Sequence, residues 1–389
     1  MRQDLLGIRV VAVEQAVAAP LCSRHLADLG ADVVKIERPP AGDFARQYDS
    51  AVLGWSSHFV WLNRGKRSFV LDLKSDSGVA AFEQLVTSAD VLVSNLAPGA
   101  LERIVPDSRL ESLNPRLVRC YISGYGGTGP YSDRKAYDAL VQGEAGTILA
   151  TGTVDQPAKP GVSLADVGGG VYALASILAA LLERQRTGVG KRVEVALFDV
   201  LLEWMSPLLL AEQYDGAAPP PAGLGHASIA PYGPFRCRDG VDIMIAVQND
   251  GQWQRLCGGA LDAAHLLTDE NATNAQRVAR RAVIDAAVQT AIAFWTATEL
   301  TERLQRADVP FGRLNTLRDV LAHPQAEANG RWSMARLPNG RQVVVTTSPL
   351  ETGGAEEVER SIPSLGDVGG DEAGEMGSVV VDIEGIWNG

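Results

Sequence analysis

"IRVVAVEQAVAAPLCSRHLADLGADVVKIERPP" runs from Ile8 to Pro40, and its reading decides the fold. Ile8–Glu14 is a short apolar run of the buried-strand type. Pro20–Gly30 carries apolar residues at helical spacing and stops on Gly30. Ala31–Pro40 is a second strand closed by two prolines. Strand, helix and strand in close succession begin a parallel sheet with crossover helices. Ser68–Lys74, Asp90–Asn95 and Leu117–Gly126 read as further strands, with helical patterns at Ser77–Thr87 and Gly99–Ile104. The expected class is α/β, a large Rossmann-like domain with a mostly parallel sheet. No GxGxxG follows the first strand, so the dinucleotide fingerprint is missing and the sheet serves another use.

The second half reads differently. Arg192–Tyr214 gives a strand and a helix, and Asp215–Gly225 is a Pro-, Gly- and Ala-rich linker. Two short strands flank the turn Asp239-Gly240, a hairpin signal. Helical patterns follow at about Gln252–Leu261, Thr273–Trp295 and Thr298–Ala307. The expected division is residues 1–214 as the first part of a large α/β domain, 226–312 as a smaller α+β domain, and 313–389 as a C-terminal segment. Glu351–Gly389 reads as an extended tail.

Composition bounds the function. The chain has 389 residues, 46% of them hydrophobic, and a net charge of −12. That balance argues against a nucleic-acid partner. Cys22, Cys120, Cys237 and Cys257 show no CxxC spacing, and the five histidines show no paired-ligand spacing, so no metal is expected. The N-terminus lacks signal-peptide character, and the longest apolar stretch, Val171–Leu182, is too short to span a bilayer. No membrane association and a cytoplasmic location are the expectations.

Two features carry chemistry. "GVSLADVGGG" (Gly161–Gly170) places Asp166 ahead of Gly168, Gly169 and Gly170 and a long apolar helix pattern. Asp166 is either a helix N-cap or a nucleophile set beside a glycine turn. Basic residues also gather at strand ends: Arg38; Arg64, Lys66, Arg67 and Lys74; Arg103; Arg134 and Lys135. Taken singly they are surface charges. Taken together at the carboxyl edge of a parallel sheet, they suit a pocket for phosphates.

The chain resembles the family III CoA-transferases and their sister enzyme α-methylacyl-CoA racemase. The likeness rests on "GADVVKIERP" (Gly30–Pro39), "NRGKRSFVLDLK" (Asn63–Lys74), "PGALERI" (Pro98–Ile104), "NPRLVRCYISGYGGTGPYSDRKAYD" (Asn114–Asp138), the "LAD" before the long helix, "RTGVGKRVEVALFD" (Arg186–Asp199) and "SIAPYGPF" (Ser228–Phe235). The resemblance implies that Asp166 attacks an acyl-CoA thioester. CoA then passes to a carboxylic acid through aspartyl anhydride and aspartyl-CoA thioester intermediates. It implies that backbone N–H groups at the glycine turn meet the oxyanion and that Asp138 tunes Asp166. It places Arg38, Leu71, Lys74, Arg103, Ile104, Lys135 and the Gly124, Tyr125, Gly126 turn along CoA. CoA is a substrate on this reading, and no prosthetic group is implied.

The resemblance also implies that 313–389 returns to the large domain and that two chains interlock as a homodimer. The racemase alternative, proton transfer at Cα, needs a histidine where this chain has Tyr137, and a tyrosine is a poor base at neutral pH. A CoA-binding scaffold without turnover is the second alternative. Val17 and the absence of a tetraglycine loop near Gly223–Ala227 depart from formyl-CoA transferase and weigh against formate and oxalate as substrates, and Ala97, where many relatives carry a basic or polar residue, implies the loss of one CoA contact.

Overall fold

The computed structural model describes residues 4–350, 360–368 and 383–388. Six strands make one sheet: β1 (Arg9–Val13), β2 (Asp32–Glu37), β3 (Arg67–Val70), β4 (Val91–Ser94), β5 (Val118–Ser123) and β6 (Arg192–Ala196). Their order is β3-β2-β1-β4-β5-β6, and every pairing is parallel. The order reverses between β1 and β4, so a crevice opens beyond the carboxyl ends of the strands there.

The first stretch behaves as its pattern predicts. Val10 and Ala12 enter one apolar cluster, and Val11 and Val13 enter another on the opposite face. A strand buried on both faces needs a continuous apolar run. Each fully buried valine stabilises the fold by about 1.5–3 kcal/mol. The helices of the large unit are α1 (Ala18–Asp28), α2 (Ser57–Asn63), α3 (Asp76–Thr87), α4 (Ala100–Ile104), α5 (Asp107–Leu113), α6 (Asp138–Glu144), α7 (Leu164–Thr187) and α8 (Leu197–Asp215). Helices α1 and α7 cover the first face, and α3, α4 and α5 the second.

Helix α7 has 24 residues, long and apolar enough by length and composition to cross a membrane, which corrects the shorter stretch expected from sequence. Ala165, Ala173, Leu174, Ile177, Ala180 and Leu181 are buried in the sheet's apolar cluster, the placement of a core helix.

The chain divides into two compact units. The larger comprises residues 1–145, 161–205 and 324–389, and the smaller 146–160 and 206–323. These limits lie some residues away from those drawn on sequence: α8 ends at Asp215, next to the expected boundary at 214, but the units divide within it, after Met205. Segment 146–160, which no composition shift marks, groups with the smaller unit. That unit has an antiparallel sheet of β7 (Tyr232–Arg236), β8 (Asp242–Ala246) and β9 (Phe311–Arg313). Gly240, at φ +79°, makes the hairpin turn. Its helices are α9 (Asp250–Gln254), α10 (Asn274–Ala279), α11 (Arg281–Ile292) and α12 (Ala297–Arg306). The pattern read as one helix over Thr273–Trp295 is interrupted at Arg280, whose φ of −113° leaves the helical region.

In the C-terminal segment, β10 (Trp332–Arg336) and β11 (Gln342–Thr346) form a hairpin, and β12 (Arg360–Ser361) pairs with β10. Ala335, Leu337, Val343 and Ile362 pack on Phe59 and Val60 of α2. The stretch read as a tail is in part ordered structure. Ile383–Asn388 is a helix that buries Ile386 and Trp387 in the second cluster. The rest of that stretch lies outside the described residues.

Candidate active site

Asp166 occupies the third position of α7, whose N-cap is Ser163. Neither Ser163 nor Asp166 caps the helix. The Oδ1 of Asp138 does so instead, accepting from the backbone N–H of Ala165 at 2.9 Å and of Asp166 at 3.4 Å. Its Oδ2 accepts from Nε2 of Gln142 at 2.7 Å, one turn along α6. Asp138 therefore caps α7. It sits at the positive end of α7, where a carboxylate is favoured, and it fixes the turn that carries Asp166.

Asp166 has the opposite surroundings. Among the described residues no cation pairs with it. Burial, and then the neighbouring charge of Asp138, push its carboxyl up to about 7. Val167 packs with Val17, Leu21 and Leu62, so the side next to Asp166 is apolar. The Tyr48 hydroxyl feels Asp43, Asp166 and Tyr137, and burial first pushes its pKa up to about 12. It stays protonated near Asp166 as a potential hydrogen-bond donor.

The glycine turn is a correction. Gly168, Gly169 and Gly170 lie inside α7 and are all buried. A Cβ on Gly168 would meet Val200 and Trp204 at 2.7 Å, and on Gly169 Leu197 at 2.3 Å. On Gly170 it would meet the Ala18 carbonyl oxygen at 2.7 Å. The three glycines let α7 press against α8, the sheet and α1. Glycine in a helix interior costs about 1 kcal/mol against alanine, which this close packing offsets. Already at Val167 the backbone N–H is spent on the Ser163 carbonyl, at 2.9 Å. The glycine N–H groups follow it in the helix and are not free for an oxyanion.

The other residues singled out from sequence follow the carboxyl ends of β2, β3, β4 and β5 along the chain. Arg38 follows β2 and is exposed. Leu71 is buried in the second cluster, so its side chain belongs to the core, while its N–H donates to the Glu37 carbonyl at 2.9 Å. Lys74 and Lys135 are exposed, and Ile104 packs against the second cluster. Arg103 lines a cavity of about 290 Å³ with Ser94 of β4, Ser123 of β5, Asp133, and Arg192 and Glu194 of the first half of β6. Gly124 is needed for close approach, because a Cβ there would stand 2.0 Å from that of Ala136. That contact brings the end of β5 to the Lys135–Asp138 segment. Tyr125 packs on Tyr131 and Phe198 at ring distances of 5.5 and 5.9 Å, and Gly126 takes φ +90°.

Not every basic residue of the expected phosphate pocket is free. Arg64 pairs with buried Asp28, Lys66 with Glu14 at 2.7 Å, and Arg67 with Asp32. These are internal pairs. Arg38, Lys74, Arg103 and Lys135 form no ion pair among the described residues.

Sequence reasoning missed a buried ion network. Glu14, at the end of β1, receives Nζ of Lys66 at 2.7 Å, Nζ of Lys35 at 3.3 Å and Oγ of Ser23 at 2.6 Å. Lys35 also donates to Oδ2 of Asp43 at 2.9 Å. Glu37 accepts from Arg46 at 2.6 and 2.9 Å, from Ser68 at 2.6 Å and from the Asp43 N–H at 2.8 Å. The signal was present: Lys35 interrupts an otherwise apolar strand, and a buried lysine requires a carboxylate.

A match to the model of CoA-transferase family III spans residues 5–368. The chain is 35% identical to succinate–glutarate CoA-transferase of Agrobacterium fabrum over 94% of both chains. It is 35% identical to acetyl-CoA:oxalate CoA-transferase of Acetobacter aceti over 83% of both. The fold matches the crystal structure of a CAIB/BAIF family protein from Brucella suis, with TM-score 0.82, 34% identity, and coverage of 94% of this chain and 97% of that one. The chain belongs to CoA-transferase family III and is a CoA-transferase.

Proposed function

We propose that the enzyme moves CoA from an acyl-CoA to a dicarboxylic acid, with Asp166 as the nucleophile. The observation that carries this is the carboxyl of Asp166, half-buried without a cation and pushed up to about 7. Such a carboxylate is more basic and less solvated than an ordinary one, and attacks better. It adds to the thioester carbonyl and CoA leaves as thiolate, giving an acyl-aspartyl anhydride. The thiolate attacks the aspartyl carbonyl, releasing the donor acid and leaving an aspartyl-CoA thioester. The acceptor carboxylate attacks that thioester, and the thiolate returns to the new acyl carbonyl. Asp166 is regenerated and every bond broken is matched by one formed.

Arg38, Lys74, Arg103 and Lys135 are the cations offered to CoA phosphates, and their lack of partners supports the assignment. The Gly124–Gly126 turn is offered to the pantetheine. Relatives named for glutarate and oxalate support a dicarboxylic acid as acceptor, against the earlier reading that disfavoured oxalate. The racemase reading has less support, because Tyr137 stands where a base is needed. A second copy of the chain, interlocked with the first, is proposed to cover the exposed apolar residues of α7 and α8, among them Val171, Tyr172, Leu182, Trp204 and Leu210.

The test is a trapping experiment. Acyl-CoA without acceptor, quenched with hydroxylamine, should leave a hydroxamate on the peptide containing Asp166. A screen of CoA donors against mono- and dicarboxylic acids, read by mass spectrometry, identifies the acceptor. A hydroxamate on another residue, or none, would remove Asp166 as nucleophile.

A further inference from the structure

The loop after β1 holds a backbone conformation that its sequence does not favour. Ala16 sits at φ +63°, in the left-handed region that L-residues seldom enter. Its neighbours are clamped. The Gln15 N–H donates to Oδ1 of Asn95 at 2.9 Å, and Nδ2 of Asn95 donates to the Gln15 carbonyl at 2.8 Å. The Ala16 N–H donates to Oδ1 of Asp43 at 3.1 Å, and the same oxygen accepts from the Ala45 N–H at 2.9 Å. Asp43 is buried and is held from its other oxygen by Lys35 at 2.9 Å. Lys35 has no exposure and leans on Glu14, the residue before Gln15. The next residue, Val17, packs with Leu21, Leu62 and Val167, the neighbour of Asp166 in α7.

We propose that Asp43, secured by Lys35, is a positioning residue for the transfer reaction: it fixes Ala16 in its left-handed turn and so seats Val17 against the α7 turn carrying Asp166. The inference rests on the assignment of Asp166 as nucleophile. The network has a reason to be ionic. Three carboxylates (Glu14, Glu37, Asp43) balance three cations (Lys35, Lys66, Arg46), so the charge of Asp43 is matched while its Oδ1 accepts the Ala16 N–H. The same network reaches Glu37, the residue before Arg38. One buried assembly thus joins the loop beside the nucleophile to the loop bearing an unpaired cation.

The test compares Asp43→Asn with Asp43→Ala. Asparagine keeps an oxygen for the Ala16 N–H and loses the charge; alanine loses both. Both variants should melt at lower temperature than the parent. Asp43→Ala should lower kcat by about tenfold to a hundredfold, the scale of a misplaced reacting group, with KM for acyl-CoA little changed. Asp43→Asn should retain kcat within about threefold of the parent, since the backbone anchor survives. A second variant leaves the ions intact: Ala16→Val puts a branched side chain at positive φ and should lower kcat in the same way, while Ala16→Gly should not.

Equal loss of kcat in Asp43→Asn and Asp43→Ala, or full activity in Ala16→Val, would overturn the proposal. If Asp43→Ala and Asp43→Asn do not fold, the Ala16 pair decides alone. Hydroxylamine trapping on the parent separates the two ideas. A parent that gives no Asp166 hydroxamate refutes the nucleophile. A parent that gives it, with Ala16→Val trapping at the same rate, refutes only the positioning role.

Discussion

Glu14 and Asp166 are both carboxylates withdrawn from water at the same edge of the sheet, and they are treated in opposite ways. Glu14 lies between two lysines and a serine hydroxyl. Burial alone would raise its pKa, and Lys66 and Lys35 reverse that and hold it below the ordinary value. Asp166 has no cation paired with it among the described residues and has Asp138 beside it, so burial and like charge act together and raise its pKa to about 7. The difference shows how a fold separates structure from chemistry. A carboxylate whose charge is matched is a fixed strut. One left unmatched is held in a less solvated, more basic state, the state the proposed nucleophile needs.

The sharpest way to break this comparison is to remove each charge in turn. Asp166→Asn should fold and bind CoA while transfer falls by about a thousandfold or more, as when a covalent nucleophile is lost. Steady-state transfer on a preparation free of deamidation checks it. Glu14→Gln should act on stability instead. It leaves Lys35 and Lys66 facing each other with one fewer carboxylate, a loss of about 3–5 kcal/mol for a broken buried pair. Denaturant unfolding measures it, and an unchanged midpoint would mean that the network does not hold the loop.

The contrast extends to cations. Lys66 is buried on Glu14, and Arg103 is exposed and unpaired beside a cavity. Arg103→Ala should raise KM for acyl-CoA about tenfold, from a lost charge-assisted contact of about 1.5–3 kcal/mol. Its kcat should hold, since a contact distant from the thioester serves ground and transition states alike. Asp138→Asn should have a smaller effect on rate, about tenfold or less. It keeps an oxygen for the Ala165 N–H and removes the charge that raises Asp166. The limb of kcat/KM for acyl-CoA that rises with pH through about 7 in the parent should move to lower pH.

Much of the fold was legible because burial leaves a period in the sequence. Val10–Val13 is a continuous apolar run and Val33–Ile36 is one broken only by Lys35, and both lie in strands covered on two faces. Of the proposed site, the sequence singles out Asp166 before its long helix and the exposed cations, whose positions follow strand ends. What escaped depends on tertiary contact. Gly168, Gly169 and Gly170 look like a turn in one dimension, and only the approach of Ala18, Leu197 and Trp204 explains them inside a helix. Arg64, Lys66 and Arg67 look like surface charge until Asp28, Glu14 and Asp32 are found opposite them. Asp138 caps a helix 27 residues away, a relation no local spacing encodes.

The smallest effect separates the two carboxylates by stability alone. In the unfolded chain Asp166 titrates near 3.8, and in the folded protein near 7. Between these values the folded state binds a proton that the unfolded state has lost. Stability therefore falls as pH rises from about 4 to about 7, and above that the full penalty of an ionised, unmatched carboxylate is present. Asp166→Asn has no charge to bury, so its melting temperature should exceed the parent's at pH 8, with the gap closing toward pH 4. Glu14, whose folded pKa is lowered, predicts the reverse sign: its contribution is complete at neutral pH and is lost as pH falls through its folded value. Melting curves of the parent, Asp166→Asn and Glu14→Gln across pH 4 to 8 should therefore diverge in opposite directions. If Asp166→Asn melted below the parent at pH 8, the carboxylate would be stabilised in the folded protein after all, and the contrast with Glu14 would vanish.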